Sequence, residues 1–338
     1  MSVSLAVKYR PTKFDEVVEQ SATKVILQQQ LESGDIKNAY LFCGGAGTGK
    51  TTCARIFANE INKGLGTPVE LDAASNNSVD DVRELIQQAK TKSLDSEYKV
   101  FIMDEVHALS NQAWQAMLKV LEEPPVKSIF IMCTTDPQKI PKTILSRVQR
   151  FDFQRISQNA IYSRLVEVIK YEYGTWLVKW QPAVEYIAKQ AQGGMRDALT
   201  MLDKCLAYSD ELTIENVTKA LGIADYDVML RLFKAYFGYD KEARLNVINE
   251  VYMSGYDLKQ FIKSFTNFIL DFSKYGLGVT DYLDCPLTSE IREVFDKYKE
   301  EYADVAQVVL DTLIKLQAEI KWDTNPKARI EAWCITGE

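Results

Sequence analysis

Apolar runs of four to six residues alternate with amphipathic helical patterns between Ala39 and Phe153. The runs are rich in β-branched and aromatic residues and show no polar alternation, which is typical of strands buried on both faces of a parallel sheet. The predicted strands are Ala39–Cys43, Val69–Asp72, Lys99–Met103, Ser128–Cys133 and Arg150–Phe153. The first part of the chain is therefore predicted to be an α/β domain.

Helices are predicted between these strands. The stretch Thr51–Ile61 places Cys53, Ile56, Phe57 and Ile61 on one stripe, and Ser78 with Asp81 three residues on forms a capping signal. A third helix follows Ser110 and ends before Pro124-Pro125, because proline interrupts a helix.

After Ile156 the strand signals fade and helical patterns continue to the end of the chain. Short helices are predicted in 157–221, with a turn at Gly193-Gly194, and a break is predicted at Cys285-Pro286. The longer predicted helices are Asp227–Tyr236, Lys241–Met253, Leu258–Lys274, Ser289–Lys299 and Ala303–Ile320. We predict three domains: an α/β domain (1–156), a small helical domain (157–221) and a larger all-α domain (222–338).

Composition narrows the class of protein. The 338 residues are 46% hydrophobic and 26% charged, which is typical of a globular protein, and the net charge of −7 gives no support for nucleic-acid binding through bulk charge. No apolar run is long enough to cross a membrane and no signal pattern opens the chain, so we expect a cytosolic protein. The six cysteines form no CxxC pair and His107 is the single histidine, so a zinc site is not expected.

The clearest chemical motif is GGAGTGKT, which matches GxxxxGK[ST] between a predicted strand and a predicted helix. Its glycines allow backbone N–H groups to surround a phosphate, and the helix N-terminus adds positive charge. In such a loop Lys50 neutralises β- and γ-phosphate oxygens, and the Thr51 hydroxyl binds Mg²⁺. The predicted nucleotide-binding residues are Gly44, Gly45, Ala46, Gly47, Thr48, Gly49, Lys50, Thr51 and Thr52.

Asp104-Glu105 follow the apolar run that ends at Met103, which is a Walker B arrangement. Asp104 is predicted beside the Mg²⁺, and Glu105 to orient or deprotonate the attacking water. Thr135 closes the next strand, where it either senses the γ-phosphate or simply reflects β-propensity.

Two arginines, Arg147 and Arg196, are candidates for contacting transition-state charge, and surface ion pairing is the alternative for each. His107 completes a DEVH sequence, which indicates either a DEAH-type helicase or a loop residue near the nucleotide.

Further motifs occur in a fixed order with these. They are Lys8-Tyr9-Arg10-Pro11 with Phe14, Val17-Val18 and Gln20; Leu71-Asp72-Ala73-Ala74-Ser75; Leu121-Glu122-Glu123-Pro124-Pro125; Thr134-Thr135-Asp136-Pro137-Gln138-Lys139; Leu145-Ser146-Arg147; and Gly193-Gly194-Met195-Arg196-Asp197-Ala198-Leu199. With the P-loop and the DEVH sequence they make residues 5–205 resemble the gamma/tau subunits of bacterial DNA polymerase III. These are the AAA+ motor subunits of sliding-clamp loaders.

The resemblance implies an AAA+ ATPase domain, a helical lid and a helical collar through which five subunits form an open ring. It implies ATP and Mg²⁺ as ligands. It assigns Thr135 to sensor 1, Arg196 to sensor 2, Arg147 to the arginine finger that acts on the neighbouring subunit's ATP, and Arg10-Pro11 to the surroundings of the adenine.

The partners implied by the resemblance are a sliding clamp, primer–template DNA and the other loader subunits. Family members open the clamp when ATP is bound, and hydrolysis releases the closed clamp on DNA. The DNA is held by its phosphates, for which Lys119 keeps one basic position.

The sequence departs from the family in several places. Asn62–Pro68 stands where a four-cysteine zinc module is expected, so no zinc is expected here. The Ser-Arg-Cys motif reads Ser146-Arg147-Val148, and Asn76-Asn77-Ser78 replace basic residues that contact DNA. The chain ends near the collar without the long tau extension, and a compact version of this kind suggests a phage replisome in a bacterial cytoplasm.

Three other functions are open to a chain with these motifs. A different AAA+ DNA machine, such as a branch-migration motor or helicase loader, would form a hexamer. A non-hydrolysing structural loader subunit is disfavoured by the intact Lys50, Asp104, Glu105 and Arg147. A DEAH helicase would need a second α/β motor domain, and residues 157–338 show no strand alternation to build one.

Overall fold

The computed structural model describes residues 3–93, 95–174, 177–221, 226–280, 283–285, 287 and 289–337. The chain divides into two compact units, Met1–Asp203 and Lys204–Glu338.

A five-stranded parallel sheet forms the centre of the first unit. The strands are β1 Ala39–Gly44, β2 Val69–Asp72, β3 Lys99–Asp104, β4 Ser128–Thr134 and β5 Gln149–Phe153. They are ordered β2-β3-β4-β1-β5, and every pairing is parallel. The α/β prediction and all five strands are therefore confirmed. Because the carboxyl ends of parallel strands share one edge, the residues that follow β1, β3 and β4 lie close together.

The central strands are buried on both faces. In β1, Leu41 and Cys43 belong to one hydrophobic cluster, whereas Tyr40 and Phe42 belong to the cluster on the opposite face. The prediction of two-sided burial is wrong for the two edge strands. The residues of β2 alternate between half-buried and exposed, and in β5 Arg150 and Asp152 are exposed while Phe151 and Phe153 are buried. As an edge strand β2 has one neighbour only, and its Glu70 pairs with Arg55 at 2.6 Å.

Helices cover the sheet and continue beyond it. In the first unit they are α1 Leu5–Lys8, α2 Ser21–Ser33, α3 Lys50–Ile61, α4 Val79–Lys90, α5 Asn111–Glu122, α6 Lys142–Leu145, α7 Gln158–Tyr173, α8 Gln181–Gln190 and the start of α9 Met195–Tyr208. Short 3₁₀ turns are Phe14–Glu16, Val106–Ala108, Pro137–Lys139 and Val178–Trp180.

The local signals explain several helix boundaries. Ser78 and Asp81 form the predicted capping box of α4, and α5 ends at Glu122, two residues before Pro124. The apolar pattern did not predict α2, because two of its three buried residues are the polar Thr23 and Gln30.

The second unit is helical over its described residues. Its helices are α10 Ile214–Leu221, α11 Tyr226–Phe237, α12 Lys241–Met253, α13 Leu258–Gly276, α14 Ser289–Tyr298, α15 Ala303–Ile320 and α16 Pro326–Thr336. The predicted helices there are confirmed to within two residues at each end, and α16 was not predicted. Cys285 of the predicted break is buried between α13 and α14, and Pro286 lies outside the described residues.

Aromatic residues dominate the core of this unit. Phe233 contacts Phe237 and Phe272, with ring centroids 4.4 and 4.9 Å apart. Among the described residues, no helix is long and apolar enough to span a bilayer.

Candidate nucleotide-binding site

The loop between β1 and α3 is shaped by its glycines. Gly47 has φ +70°, and a Cβ added to it would lie 2.9 Å from the Cα of Gly194. The N–H of Met195 donates to the Gly47 carbonyl at 3.0 Å. Since only glycine fits this left-handed, closely approached position, the P-loop and the start of α9 are held together at Gly47.

Lys50 begins α3 and is buried. Its Nζ donates to the carbonyls of Gly44 and Gly45, each at 2.8 Å. Burial lowers the pKa of Lys50, while the nearby Glu105 and Asp104 carboxylates oppose that shift. The ammonium group therefore lies within the loop whose N–H groups would surround a phosphate.

Thr51 and Asp104 come from different parts of the chain and meet at the carboxyl edge of the sheet. The Thr51 hydroxyl donates to Asp104 Oδ2 at 2.7 Å, and Asp104 Oδ1 accepts from the N–H of Glu105 at 3.0 Å. One hydroxyl and one carboxylate are a donor set that Mg²⁺ accepts, because this ion keeps several water and phosphate oxygen ligands. The residues present therefore fit Mg²⁺.

Glu105 is held by residues at or just after the carboxyl ends of β3 and β4. Its Oε2 accepts from the N–H of Thr135 at 3.2 Å and from the Thr135 hydroxyl at 2.9 Å. The Nδ1 of His107 lies 3.2 Å from the same oxygen and 3.2 Å from the Thr134 hydroxyl. The structure thus joins the predicted water-activating carboxylate to the predicted sensor threonine.

This geometry also gives His107 a specific neighbour. The sequence predicts only that His107 belongs to a DEAH-type helicase or to a loop near the nucleotide. A carboxylate oxygen can only accept, so Nδ1 must carry a proton for this contact to be favourable.

A cleft beside the P-loop brings three further predicted residues next to the loop. Residues 47–52 line it together with Arg10, Pro11 and Arg196, and the side chains of Tyr9, Val17, Val18 and Leu199 complete its apolar wall. Burial lowers the pKa of Arg10, and the positive charges of Arg55 and Arg196 lower it further. A concentration of cations in one cleft suits a triphosphate.

Sequence reasoning gave Gln20 no role, although this residue is part of the motif that supports the family resemblance. Its buried side chain donates to the Gln154 carbonyl at 2.7 Å and to the Thr48 carbonyl at 3.4 Å, and it accepts from the N–H of Gln154 at 3.1 Å. Gln20 therefore connects the P-loop with the segment that follows β5. The only available signal was its position in the motif, because a glutamine alone indicates no partner.

Two predicted residues belong neither to the cleft nor to the hydrogen-bonded group of Thr51, Asp104, Glu105 and Thr135. Arg147 follows α6 and pairs with Glu122 at 2.8 Å, and Lys119 is exposed on α5. Neither lines the cleft that holds the P-loop. Their predicted partners, a neighbouring nucleotide and DNA, stay predictions.

Three family models match successive parts of the chain. Residues 67–157 match the model described as DNA polymerase III, delta subunit. Residues 178–211 match the ATPase lid domain of the DNA polymerase III clamp loader subunit, and residues 212–335 match domain III of the DNA polymerase III subunits gamma and tau.

Curated relatives agree with these models. The chain is 35% identical to DNA polymerase III subunit tau of Bacillus subtilis over 348 aligned residues, which cover 96% of this chain and 61% of the relative. It is 35% identical to subunit tau of Escherichia coli over 274 residues, covering 74% of this chain and 42% of that protein. The chain thus spans 61% and 42% of the length of these two relatives.

Solved structures support the fold. The Thermotoga maritima RuvB Holliday junction branch migration motor aligns with a TM-score of 0.53 and 19% identity, over 68% of this chain and 80% of that one. At this identity the likeness shows the AAA+ fold alone. Because the lid and domain III models and the tau relatives together account for most of its length, the chain belongs to the family of DNA polymerase III gamma and tau subunits.

Proposed function

We propose that this chain is an ATP-hydrolysing motor subunit of a sliding-clamp loader. The observation that carries the proposal is the connected arrangement at the carboxyl edge of the sheet. Thr51 meets Asp104 at 2.7 Å, and Glu105 meets Thr135 at 2.9 Å, beside a buried Lys50. A hydrolysing AAA+ subunit needs each of these groups, whereas a purely structural subunit needs none of them.

Each side chain has a chemical task in this proposal. Lys50 neutralises the β- and γ-phosphate oxygens, and Arg10 and Arg196 supply further positive charge in the same cleft. Thr51 and Asp104 hold Mg²⁺, which neutralises phosphate charge when bound. Glu105 accepts the proton of the water that attacks the γ-phosphorus while the bond to the bridging oxygen breaks, and Thr135 orients the Glu105 carboxylate.

The domain assignment extends this proposal to the whole chain. We assign 1–156 to the ATPase domain, 157–221 to a lid and 222–338 to a collar that joins five subunits. Arg147 acts on the nucleotide of the neighbouring subunit. The partners are a sliding clamp and primer–template DNA. Lys119 contacts the phosphates of this DNA. The complex acts in a bacterial cytosol.

The deciding experiment is an ATPase assay with and without the cognate clamp and primed DNA, on a sample whose oligomer mass is measured. Stimulation by clamp and DNA together, in a pentamer, is the expected result. A hexamer stimulated by branched DNA alone would assign the chain to another AAA+ machine. If the assembled complex did not hydrolyse ATP, the chain would be a structural subunit and not a motor.

A further inference from the structure

Arg147 is held by three contacts at the end of α6. Its Nη1 donates to the Thr143 carbonyl at 2.7 Å and to the Ser146 hydroxyl at 3.0 Å, and its Nη2 donates to Glu122 Oε1 at 2.8 Å. A guanidinium has five N–H donors. Two therefore stay available for an incoming anion, and about a third of the side chain is exposed.

Glu122 occupies an unfavourable place for a carboxylate. It is the last residue of α5, where the helix presents unpaired carbonyls and partial negative charge. The adjacent Glu123 carries the same charge and is exposed. Helix stability therefore gives no reason for a glutamate at position 122, whereas the contact with Arg147 does.

The pair contributes little to the stability of the fold. Both side chains are partly exposed, at 34% for Arg147 and 46% for Glu122, and exposed ion pairs are screened by water. The pair mainly restricts the conformation of the Arg147 side chain, because a free arginine side chain samples many rotamers. Holding the guanidinium in one place before a phosphate arrives removes part of the entropy loss at that step.

The surroundings of Arg147 are open to a neighbour. It lines a surface cleft with Lys37, Asn38, Pro124 and Gln149. A second subunit that brings its nucleotide to this cleft would meet the guanidinium in the orientation set by Glu122 and the end of α6.

We infer that Glu122 is a positioning residue for Arg147. The inference rests on the proposed function, in which Arg147 acts on the neighbouring subunit's ATP. Glu122 itself touches no substrate in this arrangement. Any effect of Glu122 on hydrolysis therefore requires Arg147 to be present, and kinetics of single and double variants can measure this dependence.

The test compares six forms of the assembled complex: wild type, Glu122→Gln, Glu122→Asp, Glu123→Gln, Arg147→Ala and the double variant Glu122→Gln with Arg147→Ala. Glu122→Gln keeps the shape of the side chain and removes its charge, so kcat should fall about two- to fivefold, the range expected for an exposed ion pair. KM for ATP and the oligomer mass should not change. Glu122→Asp should recover part of the rate, and Glu123→Gln should match wild type.

The double variant separates positioning from a structural role. If Glu122 acts through Arg147, the double variant has the same rate as Arg147→Ala alone. A further loss in the double variant would overturn the inference, and so would an unchanged or increased kcat in Glu122→Gln. A silent Arg147→Ala would instead show that the proposed action on the neighbour is wrong, and a wild-type complex without hydrolysis would refute the proposed function itself.

Discussion

At the scale of single residues, the site depends on one buried lysine and several half-buried polar groups that have defined partners in the folded chain. Lys50 lies against two loop carbonyls, Thr51 against Asp104, and Glu105 against Thr135 and His107. In low-dielectric surroundings each such contact is stronger than in water, and each unpaired group is correspondingly unfavourable. Replacing one of them should therefore affect binding or chemistry selectively.

Lys50→Ala should abolish ATP binding, and with it clamp loading, because the loop loses the charge that neutralises the phosphates. A titration with a fluorescent ATP analogue would show no saturable binding. Lys92→Ala, which removes an exposed lysine of the same unit, is the control and should bind normally. Clamp loading at the wild-type rate by Lys50→Ala would contradict the motor function.

His107→Ala should lower kcat about fivefold with little change in ATP affinity, since Glu105 loses the imidazole nitrogen that lies 3.2 Å from its Oε2, a contact worth roughly 1 kcal/mol. His107→Asn should retain most of the rate, because its side-chain N–H₂ reaches the position of Nδ1. Steady-state kinetics with a parallel binding titration separates the two effects. Equal losses in the Ala and Asn variants would mean that this contact between His107 and Glu105 has no role.

At the scale of elements, close contacts between loops and helix ends join the site to its surroundings. The P-loop contacts the start of α9 at Gly47, and Gln20 connects the loop with the segment after β5. In the helical unit a buried arginine has the same connecting role between helix ends. Each contact joins two elements through a single residue.

Gly47→Ala should destabilise the first unit by about 2–3 kcal/mol and weaken nucleotide binding, because the new Cβ meets Gly194 in addition to the unfavourable φ. Gly34→Ala is a matched control: its φ is +73°, and nothing lies within 4 Å of the added Cβ. It should cost only about 1 kcal/mol. Thermal melts with and without ATP would measure both, and identical melting shifts would show that the contact with Gly194 is unimportant.

Arg244→Met should destabilise the helical unit by about 2–4 kcal/mol. Arg244 is 4% exposed, and its guanidinium donates to the carbonyls of Ala235, Tyr236 and Cys334, at the ends of α11 and α16. Methionine has similar length but leaves these carbonyls without that donor. Urea unfolding followed by circular dichroism should shift markedly for Arg244→Met and little for the exposed Arg329→Met; comparable shifts would contradict this account.

At the scale of the whole molecule, the proposed site is divided between subunits. Lys50, Asp104, Glu105 and Arg196 belong to the chain that binds the nucleotide. Arg147 lies away from that cleft and is available to a neighbour. Hydrolysis should therefore depend on assembly.

Arg147→Ala should leave ATP binding intact and slow hydrolysis in the assembled complex by about 10³-fold or more, since an arginine on the transition-state charge contributes roughly 10³–10⁵ in rate. The basal rate of the isolated subunit should not change. Arg150→Ala, three residues along and paired with Asp152 on the surface, should behave like wild type. An equal loss of activity in the isolated subunit would refute action on the neighbour's nucleotide.

Much of the fold followed from local patterns. β-branched and aromatic runs predicted every strand of the sheet, and Ser78 with Asp81 and Pro124-Pro125 predicted helix ends, because these signals act over a few residues. Three features depend on which elements pack together. They are the order of strands in the sheet, the exposure of β2 and the polar residues that α2 buries. No local sequence pattern predicts that packing.

By itself the sequence determined the P-loop, because its glycines, Lys50 and Thr51 are contiguous and their spacing alone sets the backbone path around a phosphate. It also determined the strand that leads directly to Asp104 and Glu105. Only the tertiary structure decided that Thr135 and His107 meet Glu105, that Gln20 bonds the residue after β5, and that Glu122 holds Arg147. The physical reason is distance along the chain: except for His107 and Glu105, these partners are 25 to 134 residues apart, and only the packing of strands and helices brings their side chains within hydrogen-bonding range.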